Sequence, residues 1–262
     1  MLGAFVCAAV TQWTGSFILA VILSVPFTGL VGMMVERVVV RRLYERDHLE
    51  HVLATFGLIL CFDAGIQWLW GPQGVAIPLP PFLDGRLRIF GSFYFPAYRI
   101  VIIVAGILCA GFLAWLVTRT RMGMLIRAGA SNRKMVGLLG VDVQLLFTLV
   151  FGFGAAIAGL AGMLIAPITE ASIGMGNEII ITAFVVIIIG GIGSVKGAFL
   201  AAMLVGFIDT LGRSFLDDVF KVFLSIEAAE TSAPAVSAML IYIVMAVILV
   251  FKPQGLFPPK GR

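Results

Sequence analysis

A carboxylate in the middle of an apolar run has the most chemistry to offer in this sequence. Asp63 lies mid-way along residues 52–70, with Gln67 one helical turn later and Thr55 two turns earlier, so a helix gathers the three into one polar stripe. An ionised side chain at the centre of a membrane span costs about 2.5–3.5 kcal/mol on the insertion scale, which restricts it to a bundle interior, a cavity or a partner. Such a stripe suits a pathway for a polar solute, or the coupling of a solute to protons or sodium. An internal ion pair or hydrogen bond is the plainer alternative. Glu178 and Asp209 stand near the outer ends of their apolar runs and could line an external mouth.

Enzymatic chemistry finds little to work with. His48 and His51 would share a helix face beside Glu45 or Glu50, but the metalloprotease pattern needs His-Glu-x-x-His, and this pair sits in a charged loop with Arg46 and Asp47. Serine and cysteine nucleophile motifs are missing. Cys7, Cys61 and Cys109 lie far apart inside apolar segments and read as packing residues. No metal or other cofactor is expected, and the chain does not read as an enzyme.

The elements that position these residues follow from composition. The chain has 262 residues, 61% hydrophobic and 12% charged, with a mean hydropathy of +1.10, which excludes an ordinary soluble domain. Backbone polar groups in lipid must be satisfied within helices or a closed barrel, and these runs do not alternate as barrel strands would. Residues 1–11 are apolar but too short to span. Seven fuller runs follow, at 16–35, 52–70, 98–117, 145–165, 178–193, 197–212 and 236–251. The fold class is therefore all-α, a polytopic transmembrane helical bundle of about seven full spans plus a partial N-terminal helix, forming one domain over residues 1–262.

Alternating the runs puts loops 36–51 and 118–144, the turn at 194–196 and the tail on one side. Arg37, Arg41, Arg42, Arg46, Arg119, Arg121, Arg127, Arg133, Lys134, Lys196, Lys252, Lys260 and Arg262 fall there, 13 of the 18 basic residues. That side, with the C-terminus, is expected to be cytoplasmic. The net charge of +4 reports this topology, and nucleic-acid binding is not supported. Opposite lie an external loop at 71–97, kept from a regular helix by Pro72, Pro78, Pro80, Pro81 and Pro96, and a polar external loop at 213–235 with Asp217, Asp218, Glu227 and Glu230. Asp84-Gly85 suggests a small hairpin in the first of these. Along 145–165, Gly154, Ala158 and Gly162 recur four apart, with Ala155 and Gly159 on an adjoining stripe, a spacing for close helix packing.

Two segments interrupt the apolar pattern. In 119–143, Met122, Leu125, Ile126, Met135, Leu138 and Leu139 recur at helical steps among Arg119, Arg121, Arg127, Arg133 and Lys134. This predicts short amphipathic helices, with Ser131 able to cap the second and Gly140 able to end it. The basic face would meet lipid headgroups or water, and the apolar face needs lipid or a partner protein; a solvated basic loop that only fixes orientation is the plainer reading. Gly190, Gly191, Gly193, Ser194 and Gly197 form the other, a tight turn or re-entrant break. It is no P-loop, because Lys196 is not followed by Ser or Thr.

These segments resemble known permeases. Lys134–Gly140 has the register of the Glu-Ala-Ala-x-x-x-Gly segment by which ABC importer permeases dock on their ATPases, although its first three residues depart from it. Arg121, Gly123, Ile126, Arg127, Ala128, Asn132, Leu138, Gly140, Val141, Asp142 and Val143 are similar to the branched-chain amino-acid ABC permease family, first-permease type. Lys134 stands where members often carry an acid, and Gly137 where many have Arg or Ala. Gly-Gly-x-Gly-Ser-x-x-Gly-Ala at 190–198, Trp70-Gly71-Pro72, Ile89-Phe90-Gly91 and Lys252–Phe257 resemble the same family, so the likeness covers most of residues 1–212 and 236–257. Members carry a further helix before a similar Met-Leu-Gly-Ala start, so this chain is expected to be short at its N-terminus.

The resemblance implies a subunit without ATPase activity of its own. It would work in the inner membrane with a second homologous permease, two cytoplasmic ABC ATPases and a periplasmic solute-binding protein. Residues Arg121, Gly123, Arg127, Ala128, Asn132, Leu138, Leu139 and Gly140 would carry ATPase coupling. A secondary transporter using Asp63 is the alternative.

Overall fold

In the computed structural model, which describes residues 1–44, 46–80, 83, 85–90, 93–223 and 226–257, each of the apolar runs is helical. The order is α1 (Leu2–Thr14), α2 (Phe17–Val35), a π-helical turn (Glu36–Val40), α3 (Arg41–Leu43), α4 (His48–Trp70), α5 (Ala97–Arg119), α6 (Arg121–Ser131), α7 (Arg133–Leu138), α8 (Val143–Thr169), α9 (Met175–Gly190), α10 (Val195–Phe223) and α11 (Ile226–Phe251). Among the described residues, five helices are long and apolar enough to cross a membrane: Phe17–Leu43, Leu49–Trp70, Ala97–Arg119, Val143–Thr169 and Val195–Leu216. Leu2–Thr14, Met175–Gly190 and Ala235–Phe251 are apolar but shorter. The 16 residues of α9 rise about 24 Å, less than the roughly 30 Å hydrocarbon core.

The chain divides into two compact units, Met1–Gly176 and Asn177–Arg262. The first is built on α2 against α8. No hydrophobic force separates lipid from Leu inside a bilayer, so helices associate through close packing of small residues. Gly29 and Gly32 on α2 meet Gly152, Ala155 and Ala156 on α8, and Gly159 seats against Thr28 and Gly3. The expected stripe is therefore displaced: Gly154 and Ala158 are exposed, while Gly152, Gly159, Gly162 and Ala166 are buried. A 3.6-residue period rotates a strict four-residue repeat off the contact face, and the seven-residue repeat 152, 159, 166 stays on it.

Phe5, Cys7, Ile66, Met163 and Ala166 form the first unit's core with α1 inserted among α2, α4 and α8. Tyr98 on α5 donates a 2.7 Å hydrogen bond to the Leu164 carbonyl. Within the 71–97 loop, β1 (Arg86–Phe90) and β2 (Phe93–Pro96) pair antiparallel, with Arg86 opposite Pro96 and an irregularity between Arg88 and Phe90. The hairpin is there, but Asp84-Gly85 precedes its first strand instead of joining the two; Asp84, Gly91 and Ser92 lie outside the described residues.

The second unit contains most of α9 with α10, α11 and the tail, around Val185, Ile189, Ala201, Val205 and Ile241. The polar loop expected at 213–235 is largely helical, since α10 runs on to Phe223 and α11 begins at Ile226. Acidic residues end an apolar run without ending a helix, because Glu is a good helix former and Asp a tolerable one. The side chains of Asp217, Asp218, Glu227 and Glu230 lie outside the described residues.

Candidate functional site

The segment between α5 and α8 folds into the two short helices its pattern predicts. The Thr120 hydroxyl caps α6, accepting from the Gly123 N–H at 3.1 Å. Asn132 caps α7, its Oδ1 accepting from the Met135 N–H at 3.1 Å, where the sequence suggests Ser131. Ser131 instead closes α6, because only the extended backbone at Asn132 can face the next helix start. Asp142 caps α8 through Leu145 N–H at 3.0 Å, so a carboxylate also meets the positive end of that span. Gly140, at φ +81, takes the left-handed conformation just past α7, where a side chain would be strained.

The base of this hairpin is fixed. Gly123 is buried against the last turn of α5, where a Cβ would collide with the carbonyl oxygens of Leu116 and Val117, and the Arg127 guanidinium donates to the Val117 carbonyl. Val136 is buried, and Gly129 approaches Leu146 of α8. The outer surface is open and apolar: Leu138 is 83% exposed and Leu139 77%, with Met122, Met124 and Met135 also exposed. Arg121, Arg127, Ala128 and Asn132 stand on the exposed side as well, while the side chains of Arg133 and Lys134 lie outside the described residues.

Beside this hairpin is a cluster that the sequence reading leaves inside a charged loop. Glu36, on the π turn, is completely buried. Its carboxylate accepts from Thr148 Oγ1 at 2.6 Å and Tyr44 OH at 3.1 Å, and pairs with Arg41 Nη2 at 3.5 Å. Arg41 also donates to Thr148 Oγ1 at 2.7 Å and to Gln144 Oε1 at 3.3 Å. The available signal is the five-residue step from Glu36 to Arg41. In an α-helix that step leaves the shared face, and a wider π turn restores it.

The glycine turn between α9 and α10 is a second built element. Gly191 and Gly193 lie at φ +96 and +90, and Ser194 Oγ accepts from the Gly197 N–H at 3.1 Å. Gly190 and Gly197 approach so closely that a Cβ on either would strike the other's backbone. The tail seats on this turn: Leu256 N–H donates to the Ile189 carbonyl at 2.8 Å and Phe257 N–H to the Gly190 carbonyl at 3.2 Å. Two segments that are far apart in sequence are thus one substructure.

The Asp63 stripe is less enclosed. Asp63 is half-buried, Gln67 and Thr55 are exposed, and the Thr55 hydroxyl bonds back to the His51 carbonyl at 2.9 Å. Their helix buries Ile66 and sets Trp70 against Phe5 in a tilted ring contact at 5.7 Å, while its outer face stays open. Glu178 is exposed; Asp209 is bonded to Arg213 and lines a cavity in the second unit. Glu45 and the His48 side chain lie outside the described residues, and among those described no group of three His, Cys, Asp or Glu could hold a metal.

Apolar helices long enough to span, joined by a capped helical hairpin with an open apolar face, define a multi-pass helical membrane protein. The sequence model of the family described as "Branched-chain amino acid transport system / permease component" matches residues 1–249, and the chain belongs to that family. Its members are transport permease components and not enzymes. The chain is 30% identical to the high-affinity branched-chain amino acid transport system permease protein BraD of Pseudomonas aeruginosa, over 76% of this chain and 66% of that protein. It is 29% identical to the corresponding protein LivH of Salmonella typhimurium, over 80% of this chain and 69% of LivH, and 30% identical to LivH of Escherichia coli K12, over 72% and 63%. The chain thus spans about two thirds of the length of these curated relatives. No solved structure matches it.

Proposed function

We propose that this chain is a transmembrane subunit of an ATP-binding-cassette importer, carrying branched-chain amino acids or a related small polar solute across the bacterial inner membrane. The observation that carries the reading is the α6–α7 hairpin, whose base is locked to α5 and α8 while Leu138 and Leu139 stand open at its tip. Exposed leucines at a helix turn invite a groove, and Arg121, exposed at the start of α6, offers charge to an acidic rim. Separate cytoplasmic ATPases would push this hairpin as they close on ATP. Asp142, as both loop residue and cap of α8, would pass the push to a spanning helix. The helices then alternate between outward-open and inward-open arrangements, whose balance ligands shift only through differential affinity.

Family membership supports the remaining parts: a second homologous permease, a periplasmic binding protein that delivers solute, surrounding lipid, and a cytoplasmic C-terminus. Tagged protein, co-expressed with the ATPases encoded beside it, tests the reading. Wild type is expected to co-purify with the ATPases, and Leu138→Asp and Leu139→Asp are expected to lose them while still inserting in the membrane and eluting as folded protein. Wild type that binds no ATPase, with uptake driven by a proton gradient and abolished in Asp63→Asn, overturns the proposal in favour of secondary transport.

A further inference from the structure

The second unit holds a cavity of about 540 Å³ among α9, α10 and α11 that ATPase coupling does not use. Its volume falls within the roughly 300–1,000 Å³ typical of small-molecule sites. Val205 and Ile241 give it a buried aliphatic wall, and Asp209, Arg213 and Tyr242 stand at its polar side. At about 1.5 Å per residue, Asp209 lies some 21 Å along α10 from Val195, inside the span that ends at Leu216. A carboxylate at that depth is kept where it faces a cavity or a partner group.

The charged pair is well oriented. Arg213 Nε donates to both carboxylate oxygens of Asp209, at 3.0 and 3.1 Å, so its contact with the acid runs through one of its three nitrogens. Behind the pair, the hydroxyl of fully buried Ser237 donates to the Asp209 carbonyl at 3.2 Å, which fixes α11 to α10 at the level of the charges. The Arg213 side chain is 62% exposed and that of Asp209 30%, so the pair is open to a ligand and leaves the two terminal guanidinium nitrogens to it. A paired acid and base match a zwitterion group for group, whereas an anion or a cation would also meet one like charge.

We propose that this cavity holds the transported solute in transit, as a zwitterionic amino acid with an aliphatic side chain. Its ammonium group would sit on Asp209, its carboxylate on the Arg213 guanidinium, and its side chain against Val205 and Ile241. This rests on the permease reading above and adds to it a place in the chain and a reason for the substrate class.

The test is leucine uptake by the complete transporter, with its ATPases and binding protein, in proteoliposomes, measured together with ATP hydrolysis. Asp209→Asn and Arg213→Gln are expected to lower leucine delivered per ATP at least tenfold while the ATPases remain bound. Ala183→Phe, which fills the cavity from an exposed lining position, is expected to lower the leucine-to-valine uptake ratio at least fivefold, a change in selectivity that simple destabilisation does not produce. Wild-type leucine uptake with all three variants unchanged overturns the site and leaves the permease reading standing. A wild-type complex that retains its ATPases but takes up no neutral amino acid overturns the substrate class and the site with it.

Discussion

The hydroxyl of Thr148 on α8 donates a 2.6 Å hydrogen bond to the fully buried carboxylate of Glu36 on the π turn, joining two membrane spans through one buried charge. Arg41 supplies the countercharge at 3.5 Å, with its side chain 25% exposed. Removing one partner of a buried pair costs about 3–5 kcal/mol, because the charge left behind has lost both water and its mate. Arg41→Ala should approach the lower end of that range, since water can enter where the guanidinium stood. Thr148→Val keeps the shape, removes a donor, and should cost about 1–3 kcal/mol. Melting of the purified protein in detergent, followed by size-exclusion chromatography after heating, decides it; an Arg41→Ala protein that melts with wild type removes the cluster from the account.

The tail and the glycine turn make a similarly local prediction. Gly191 lies at φ +96 with the Gln254 and Phe257 carbonyls close to where a Cβ would be, and Gly255 approaches Gly191 from the other side. A side chain at 191 adds backbone strain of about 1–3 kcal/mol and evicts the tail. Gly191→Val should therefore free Leu256 and Phe257 and speed chymotryptic cleavage after Leu256 well above the wild-type rate. Equal cleavage in both proteins means the tail is held by something other than this turn.

The spans were legible because a helix that crosses lipid must spend about twenty consecutive residues on apolar side chains. The α6–α7 hairpin was legible because its amphipathic period survives in a short window, and Gly140 marks its end. Glu36 was hidden for the opposite reason: hydropathy assigns the first acid after an apolar run to a loop, and only the π turn carries it back into the bundle. Hydropathy misled again at 213–235, where helix propensity continues past the last apolar residue. Asp209 was readable near the end of its apolar run, but Arg213 was left unread in the loop that follows, and their cavity depends on how three helices meet.

Gly123 tests how the α6–α7 hairpin is aimed. Its missing side chain lets α6 rest on the Leu116 and Val117 carbonyls, and an added methyl must push the two helices apart. Overpacking of this kind typically costs about 1–3 kcal/mol. Gly123→Ala should leave the spans inserted while tilting Leu138 and Leu139 away from their partner, so ATP hydrolysis falls more than thermal stability does. Gly137 has nothing nearer than Val143 Cγ2 at 3.8 Å, and Gly137→Ala is the matched control expected to retain activity. Equal hydrolysis in the two variants would show that the contact with α5 does not set the hairpin's direction.

The last prediction separates the two small-residue stripes of α8. Gly159 is buried, with Thr28 in contact range of any Cβ there and its own backbone lying where a Cβ on Gly3 would be, whereas Gly154 has nothing within 4 Å. Association in lipid depends on backbone approach, so a bulky residue at 159 must separate α8 from α1 and α2 together. Gly159→Val should lower the melting temperature and the yield of folded protein, by overpacking worth about 1–3 kcal/mol or more. Gly154→Val should leave both unchanged, because its stripe lies on a face that the first unit does not use. If Gly154→Val preserves folding but releases a homologous permease that wild type retains during purification, the exposed Gly154 and Ala158 face is the surface that holds that partner. That outcome would assign the adjoining stripes to separate jobs, one holding the unit together and the other joining it to its partner.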